Sequence, residues 1–185
     1  MGLANWLTVL RILLIPVFIT LLVYKQRGPA LAVFLAAALT DLLDGYVARH
    51  RGSQSRLGAF LDPMADKLLL LSSFIVLAFT GSIATWLVVL VVVRDVIVVL
   101  GYGAVFVVDH QWMEVAPSRL GKLSTFFQLF IVGFTLMHLA RPALPLVTIN
   151  EIIQMVTATV TAASGVQYVY RGLLWHQQRA NVETT

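Results

Sequence analysis

Residues 41–66 read DLLDGYVARHRGSQSRLGAFLDPMAD and bring four aspartates into an otherwise apolar chain. Asp41 and Asp44 are three residues apart, and Asp62 and Asp66 are four residues apart. Side chains at these spacings lie on one face of an α-helix. A short polar loop lies between the two pairs. The stretch therefore predicts the end of one helix and the start of the next, with the two carboxylate pairs facing each other.

The composition around this stretch predicts a protein that lies in a lipid bilayer. Of the 185 residues, 59% are hydrophobic and 12% are charged, whereas a soluble domain carries about 25% charged residues. The net charge of +4 does not indicate nucleic-acid binding, because the basic residues form no run and no basic-aromatic stripe. The chain has no cysteine, which excludes disulfides and thiolate metal sites.

Six stretches are long and apolar enough to cross a bilayer, which takes about 20 residues. They lie at 5–24, 28–48, 58–79, 82–108, 120–140 and 144–174. The predicted fold is therefore an all-α integral membrane protein with six transmembrane helices. These form a single domain over 1–176, and a polar C-terminal tail follows at 177–185. The first stretch is expected to be a span and not a cleavable signal peptide, because it lacks a basic start and a small-residue cleavage site.

The distribution of basic residues predicts the orientation, because Lys and Arg are concentrated on the cytoplasmic side of membrane proteins. If both termini lie on one side, the connections and ends on that side hold the larger group of cations. That group is Arg49, Arg51, Arg56, Arg119, Lys122, Arg171 and Arg179, against Lys25, Arg27 and Arg141 on the other side. The sequence thus predicts a multi-pass protein of the cell inner (cytoplasmic) membrane, with the aspartates at its cytoplasmic face.

Four carboxylates at this spacing would repel one another, and a divalent cation would relieve the repulsion. Oxygen ligands without cysteine or a well-placed histidine favour Mg²⁺ or Mn²⁺. Mg²⁺ keeps coordination positions for phosphate oxygens, so a phosphate-bearing substrate is expected. Gly45 and Gly58 would let it approach the helix backbone, and Arg49 would bind a phosphate oxygen. The alternative is that the aspartates are structural ion-pair partners of nearby basic residues.

The spacing of these residues resembles the signature D-x2-D-G-x2-A-R-x8-G-x3-D-x3-D of the CDP-alcohol phosphotransferase (CDP-alcohol phosphatidyltransferase) family. The chain matches every fixed position, with Asp41, Asp44, Gly45, Ala48, Arg49, Gly58, Asp62 and Asp66. The stretch from Asn5 to Thr8, followed by Arg11 and Pro16, is also similar to the first helix of the bacterial phosphatidylglycerophosphate synthases. The resemblance implies a six-helix membrane core with the signature on the second and third helices.

The same resemblance implies roles for the signature residues. Two Mg²⁺ (or Mn²⁺) ions would be bound by Asp41, Asp44, Asp62 and Asp66. Asp66 would also be the catalytic general base, and the CDP pocket would be lined by Gly45, Ala48, Arg49 and Gly58. The oxygen of an alcohol acceptor would attack the β-phosphorus of CDP-diacylglycerol and expel CMP. A homodimer is a further expectation from the family.

The acceptor-binding residues are expected outside the signature. The candidates are three cations and a hydroxyl, which suit a phosphate group: Arg94, Arg119, Lys122 and Thr125. Similarity to the phosphatidylglycerophosphate synthases favours glycerol 3-phosphate as the acceptor. Ser124 stands where those enzymes usually have a second lysine, and Asp95 stands where they usually have glutamate. Both differences resemble the CDP-alcohol type of cardiolipin synthase, whose acceptor is phosphatidylglycerol.

Two alternatives to these readings stay open. Arg94 and Asp95 are adjacent in the fourth span, so they could partly neutralise each other without contacting a substrate. A small membrane transporter or channel could also place carboxylates at helix ends. That class predicts acidic residues along a path through the bilayer, whereas these aspartates lie near one face.

Overall fold

A computed structural model shows the chain as six α-helices. It describes residues 3–51, 56–109, 118–141 and 146–183, and the side chains of 9–40, 67–101, 118–141 and 146–174. The helices are α1 (Leu3–Val23), α2 (Arg27–Arg51), α3 (Arg56–Phe79), α4 (Thr85–Asp109), α5 (Arg119–Ala140) and α6 (Val147–Glu183). No strand occurs within these ranges. The prediction of an all-α fold with six helices is confirmed, and α6 continues through Glu183 into the predicted tail.

Tight turns close the ends of α1 and α3. At the end of α3, Gly81 has a φ of 70°, its N–H donates to the carbonyl of Ala78, and the next N–H donates to Leu77. At the end of α1, Lys25 takes the same position with a φ of 58°. These paired bonds satisfy the last carbonyls of each helix. Both turns reverse the chain within a few residues, as the turn-forming residues in the sequence predicted.

The centre of the bundle is packed with apolar side chains. α1 lies against α2 and α3, α5 lies against α2, α3 and α6, and α4 lies against α3 and α6. Phe18 of α1 and Phe34 of α2 are buried with their ring centroids 5.9 Å apart. Phe74 and Leu77 bring α3 into the same cluster, and Ile131 brings in α5. This core sets the positions of α2 and α3, the two helices that carry the signature.

A row of polar side chains lies between α5 and α6. Ser124 Oγ and Thr161 Oγ1 are 3.1 Å apart, and Gln128 Nε2 donates to Ser124 Oγ at 3.2 Å. Further along, Thr135 Oγ1 donates to Asn150 Oδ1 at 2.9 Å. The α6 members of the row recur every three or four residues, so they form one stripe along the helix. Hydrogen bonds between the two helices therefore add to their apolar packing.

The outer surface of the bundle is largely apolar. Large apolar side chains are more than half exposed on several helices, including Leu13, Leu39, Val99 and Val166. An apolar groove of about 470 Å³ runs between α4 and α6, lined by residues such as Val93, Ile97 and Val169. Soluble monomers rarely expose apolar patches larger than a few hundred Å². The outward face of this fold is therefore suited to an apolar environment.

One helix among the described residues, α5 (Arg119–Ala140), is both long and apolar enough to span a membrane. Shorter apolar stretches lie at Val9–Val23, Arg27–Thr40 and Lys67–Phe79. The structure therefore supports the predicted membrane fold through its all-helical architecture and through one clear candidate span within the described residues.

Candidate functional site

The signature residues lie on two consecutive helices. The last part of α2 carries Asp41, Asp44, Gly45, Ala48 and Arg49, and the first part of α3 carries Gly58, Asp62 and Asp66. This arrangement of the backbone agrees with the helix end and helix start predicted from the sequence. The side chains of these residues lie outside those that the structure describes, so their roles as metal ligands, base and CDP-binding residues stay predictions.

Both signature helices lie against α1 and α5, and α3 also lies against α4. Ala30, Phe34 and Ala37 are buried on α2, and Leu69 and Phe74 are buried on α3. Residues 52–55 are all that separates the two helices in the chain. The packing therefore holds α2 and α3 against common neighbours, and only four residues join the end of α2 to the start of α3.

The side chains that the structure describes contain no group of three or more His, Asp or Glu that could hold a metal ion. The predicted ligands Asp41, Asp44, Asp62 and Asp66 fall outside that part of the chain. Their chemistry suits a hard divalent cation, because all four supply carboxylate oxygens. The binding of Mg²⁺ or Mn²⁺ by these residues stays a prediction from the sequence.

Arg94 forms the centre of a polar cluster that joins α4, α5 and α6. Its side chain is 7% exposed. Nη1 donates to Asp95 Oδ1 at 2.7 Å, and Nη2 donates to Ser164 Oγ at 3.1 Å. Nη2 also lies 3.4 Å from the carbonyl oxygen of Gly121, and the guanidinium lies 5.6 Å from the ring centroid of Tyr168. The guanidinium is therefore oriented by contacts from three helices.

Gly121 lets Arg94 approach the start of α5. A Cβ at this position would lie 3.2 Å from Arg94 Nη2, 3.1 Å from the Tyr168 hydroxyl oxygen and 3.1 Å from Ser118 Oγ. Ser118 is the N-cap of α5, and its Oγ accepts a hydrogen bond from the Gly121 N–H at 2.9 Å. Distances this short leave no room for a side chain unless a neighbour moves. Glycine is thus the residue that fits between the cap and the guanidinium.

Asp95 contacts a second cation in addition to Arg94. Its Oδ2 lies 3.1 Å from Nζ of Lys67 on α3. The adjacent Arg94–Asp95 ion pair that the sequence left as an alternative is therefore present, but it belongs to a larger cluster. This cluster reaches α3 through Lys67, the residue that follows Asp66.

The structure brings the predicted acceptor-binding residues to one end of the bundle but places them in different environments. Arg94 is buried, whereas Arg119, Lys122 and Thr125 are exposed in the first two turns of α5. Thr125 Oγ1 donates to the Gly121 carbonyl at 3.2 Å, the same oxygen that Arg94 approaches. The start of α5 therefore offers cations close to the Arg94 cluster. Ser124, by contrast, is fully buried and points toward Thr161 of α6.

The residues that orient Arg94 were not predicted from the sequence. Ser164, Tyr168 and Gly121 contact it, and Lys67 contacts its partner Asp95. A signal was present in the sixth helix, where one set of polar residues recurs at regular spacing among its other polar and apolar residues. These positions are Asn150, Gln154, Thr157, Thr161, Ser164 and Tyr168. Their spacing of three or four residues indicates one helix face that is turned toward polar neighbours.

Comparisons with known proteins agree with the signature. A family model described as CDP-alcohol phosphatidyltransferase matches residues 1–165. A probable phosphatidylglycerophosphate synthase of Mycobacterium tuberculosis is 35% identical over 179 residues, which cover 93% of this chain and 82% of that relative. A probable cardiolipin synthase (CMP-forming) of Drosophila melanogaster is 35% identical over 190 residues, covering 91% of this chain and 57% of that relative.

A third relative is the CDP-diacylglycerol–glycerol-3-phosphate 3-phosphatidyltransferase of Bacillus subtilis. It is 30% identical over 182 residues, which cover 90% of this chain and 93% of the relative. The resemblance read from the signature is thus confirmed over most of the chain. Since the family model matches residues 1–165, which include both signature helices and Arg94, the chain belongs to the CDP-alcohol phosphatidyltransferase family.

Proposed function

We propose that the chain transfers a phosphatidyl group from CDP-diacylglycerol to glycerol 3-phosphate and releases CMP. The observation that carries the proposal is the complete signature within a family match over residues 1–165. The names of the M. tuberculosis and B. subtilis relatives support glycerol 3-phosphate as the acceptor. The reaction forms a bond from the acceptor oxygen to the β-phosphorus and breaks the bond from that phosphorus to the CMP oxygen.

In this proposal the aspartates of α2 and α3 supply the ligands and the base. Asp41, Asp44, Asp62 and Asp66 hold two divalent cations, and Asp66 also accepts the proton of the acceptor hydroxyl. When bound, Mg²⁺ offsets the charge of the diphosphate and of the departing CMP oxygen. A carboxylate beside a cation is a weak base, so the Asp66 carboxylate has to lie within hydrogen-bond distance of the hydroxyl.

The CDP portion is assigned to the small residues and the arginine of the signature. Gly45 and Gly58 have no side chain and Ala48 has a small one, so the diphosphate and nucleoside can approach the helix backbone. Arg49 follows Gly45 by one helical turn and is placed to bind a phosphate oxygen through a charge-assisted hydrogen bond. The diacylglycerol part stays in the bilayer while this headgroup reaches the aspartates.

The acceptor is assigned to the start of α5 and the Arg94 cluster. Lys122 and Arg119 are exposed there, and Arg94 lies within 3.4 Å of the Gly121 carbonyl in the same turn. Two exposed cations beside a buried one suit the phosphate of glycerol 3-phosphate. Thr125 adds a hydroxyl on the following turn.

Phosphatidylglycerol is the second candidate acceptor, which would make the chain a cardiolipin synthase. The observation that favours it is Ser124, which replaces the second lysine usual in phosphatidylglycerophosphate synthases. Serine carries no charge, so this position supplies no cation, and its hydroxyl is engaged by Thr161 and Gln128. The D. melanogaster relative carries the cardiolipin synthase name at the same identity as the M. tuberculosis relative.

We further propose that all six helices span the inner membrane, with the signature at the cytoplasmic face. Support comes from the apolar outer surface, the candidate span at α5 and the excess of basic residues on the signature side. A homodimer is proposed from the family resemblance alone. Membership of a transferase family favours catalysis over the transporter or channel alternative.

The test is CMP release by the purified protein from CDP-diacylglycerol and Mg²⁺, with glycerol 3-phosphate or phosphatidylglycerol offered in separate reactions. Release with glycerol 3-phosphate supports the first candidate, and release with phosphatidylglycerol alone supports the second. A chelator should stop the reaction. Asp66→Asn should abolish turnover but leave binding of the CDP-lipid largely intact, whereas Asp44→Ala should lose Mg²⁺-dependent CDP binding. No release with either acceptor would refute both assignments.

A further inference from the structure

Asp95 on α4 lies between a cation of α3 and the Arg94 cluster. Its Oδ2 is 3.1 Å from Lys67 Nζ, and its Oδ1 accepts from Arg94 Nη1 at 2.7 Å. The two oxygens of one carboxylate are therefore engaged by two separate cations. Lys67 follows Asp66 directly in the sequence. Asp95 thus connects the helix that carries Asp62 and Asp66 to the residues that surround Arg94.

The contacts of Arg94 extend this connection to two more helices. Its Nη2 reaches Ser164 Oγ on α6 at 3.1 Å and the Gly121 carbonyl on α5 at 3.4 Å. A charged and hydrogen-bonded chain therefore runs from α3 through α4 to α5 and α6. It passes from the signature helix to the turn that carries Lys122.

Apolar packing holds α3 mainly on its other side. α3 lies against α1 over much of its length and meets α4 in fewer places. Among the described side chains of 67–79 and 85–101, the Lys67–Asp95 ion pair is the polar contact between these two helices. Apolar side chains of α3 and α4 also share one cluster, with Phe74 and Leu77 beside Leu87. The Lys67–Asp95 pair adds a directional link between the two helices at the middle of α3, next to Asp66.

We propose that Asp95 is a positioning residue that keeps α3, at the point where Lys67 follows Asp66, in register with the Arg94 cluster. The effect of Asp95 on catalysis rests on the proposed function. In that function, the distance from the aspartates of α3 to the proposed acceptor site depends on how α3 is aligned with the Arg94 cluster. Small displacements of reacting groups reduce rates strongly, even when they arise away from the chemistry. Asp95 is assigned no contact with substrate.

The exposure of the pair distinguishes this role from a contribution to stability. The Lys67 side chain is 46% exposed and the Asp95 side chain is 29% exposed. Ion pairs as exposed as this contribute little to the free energy of unfolding. Asp95→Asn keeps an oxygen that can accept from Arg94, but its amide nitrogen cannot accept from Lys67. The substitution therefore removes the link to α3 while the cluster around Arg94 persists.

The first measurement is a distance between α3 and α6 in the full-length protein in a bilayer. The chain has no cysteine, so Leu68→Cys and Leu173→Cys, at side chains 48% and 59% exposed, carry spin labels specifically. Electron paramagnetic resonance then gives the distribution of distances between the labels. We expect Asp95→Asn and Lys67→Met to broaden or shift that distribution, and Lys67→Arg to preserve it. An unchanged distribution in both Asp95→Asn and Lys67→Met would overturn the proposal.

The second measurement uses CMP release with varied Mg²⁺ and varied acceptor. Asp95→Asn should raise the Mg²⁺ concentration for half-maximal rate and lower the maximal rate, by up to about 100-fold if the aspartates of α3 shift by about 1 Å, with little change in Tm. Thr135→Val is the control, because it removes a buried hydrogen bond to Asn150 away from Asp95. It should lower Tm without changing the Mg²⁺ dependence or the distance distribution.

The outcomes separate this inference from the proposed function. Asp95→Asn could lose activity only in proportion to its loss of folded protein and keep the Mg²⁺ dependence of the wild type. That result would reduce Asp95 to a structural role and overturn the inference. A wild-type protein that releases no CMP with either acceptor would overturn the proposed function instead. In that case the spin-label distances still decide whether Asp95 positions α3.

Discussion

Lys25 adopts a backbone conformation that residues with a side chain rarely take. Its φ is 58°, and the N–H groups of Lys25 and Gln26 bond back to the carbonyls of Leu22 and Leu21 at 3.0 and 2.8 Å. The left-handed region places Cβ too close to the carbonyl oxygen, at a cost of about 1–2 kcal/mol. At the end of α3 the same turn uses Gly81, which avoids that cost.

Lys25→Gly is therefore expected to stabilise the protein by about 1 kcal/mol. For a chain of this size the apparent Tm should rise by about 2–4 °C, measured by thermal unfolding in detergent. Lys25→Ala is the control, since it removes the charge but keeps a Cβ in the strained position. Equal Tm values for Lys25→Gly and Lys25→Ala would mean that the charge, and not the backbone, decides the effect.

Gly121→Ala tests the close approach at the start of α5. The added Cβ would meet Arg94 Nη2 at 3.2 Å and the Tyr168 hydroxyl at 3.1 Å, and both groups are held by the cluster. Overpacking of this kind destabilises by about 1–3 kcal/mol. We expect a lower Tm and a larger fall in CMP release, because the guanidinium has to shift by a few tenths of an ångström within the proposed acceptor site.

Gly172→Ala provides the matched control for that substitution. Gly172 is also helical, and a Cβ there would meet nothing within 4 Å. Alanine favours a helix over glycine by about 1 kcal/mol, so this variant should be as stable as the wild type or more so. If Gly121→Ala matched Gly172→Ala in both Tm and activity, the close packing around Arg94 would contribute to neither stability nor activity.

The pairing of α5 and α6 shows which contacts of a helix can be predicted from its sequence pattern and which cannot. Polar residues spaced by three or four positions mark one face of α6, and that periodicity can be read from the sequence. Which residue each one meets depends on the rotation and register of the two helices. Ser124 illustrates this, since its difference from a lysine suggested an acceptor change, while the structure places it against Thr161.

Thr135→Val tests the contribution of this polar row to the association of the two helices. Thr135 is 1% exposed and donates to Asn150 Oδ1 at 2.9 Å. Hydrogen bonds between membrane helices contribute about 0.6 kcal/mol on average and up to about 1.7 kcal/mol. A loss of stability in this range is expected, with CMP release by the remaining folded protein unchanged. The measurement is thermal or denaturant unfolding in the same detergent.

Thr159→Val is the control for the helix pairing. Thr159 is exposed and bonds the carbonyl of Met155 in its own helix at 2.9 Å. Its replacement removes a threonine hydroxyl from α6 without touching α5. Should Thr159→Val lower the stability as much as Thr135→Val, the loss would reflect the helix itself and not its partner.

At the scale of the whole molecule, hydropathy and turn residues predicted the number of helices and where they reverse. The four aspartates and their glycines indicated the family through their resemblance to its signature, which the family match over residues 1–165 confirms. The cluster around Arg94 was not predictable in the same way. It joins residues 67, 94, 121 and 164, and only tertiary packing brings positions so distant in the chain together.

The orientation in the membrane gives the last prediction, which concerns the molecule as a whole. Basic residues near the helix ends number seven on the signature side and three on the other side, and the richer side should be cytoplasmic. Gln26 and Arg171 are both exposed and lie at opposite ends of the bundle. Because the chain has no cysteine, a single cysteine introduced by Gln26→Cys or Arg171→Cys shows on which side of the membrane that residue lies. A membrane-impermeant thiol reagent should label Gln26→Cys in intact cells, and Arg171→Cys only after the membrane is permeabilised. Labelling of Arg171→Cys in intact cells would place the aspartates outside, away from any cytoplasmic CDP-lipid headgroup.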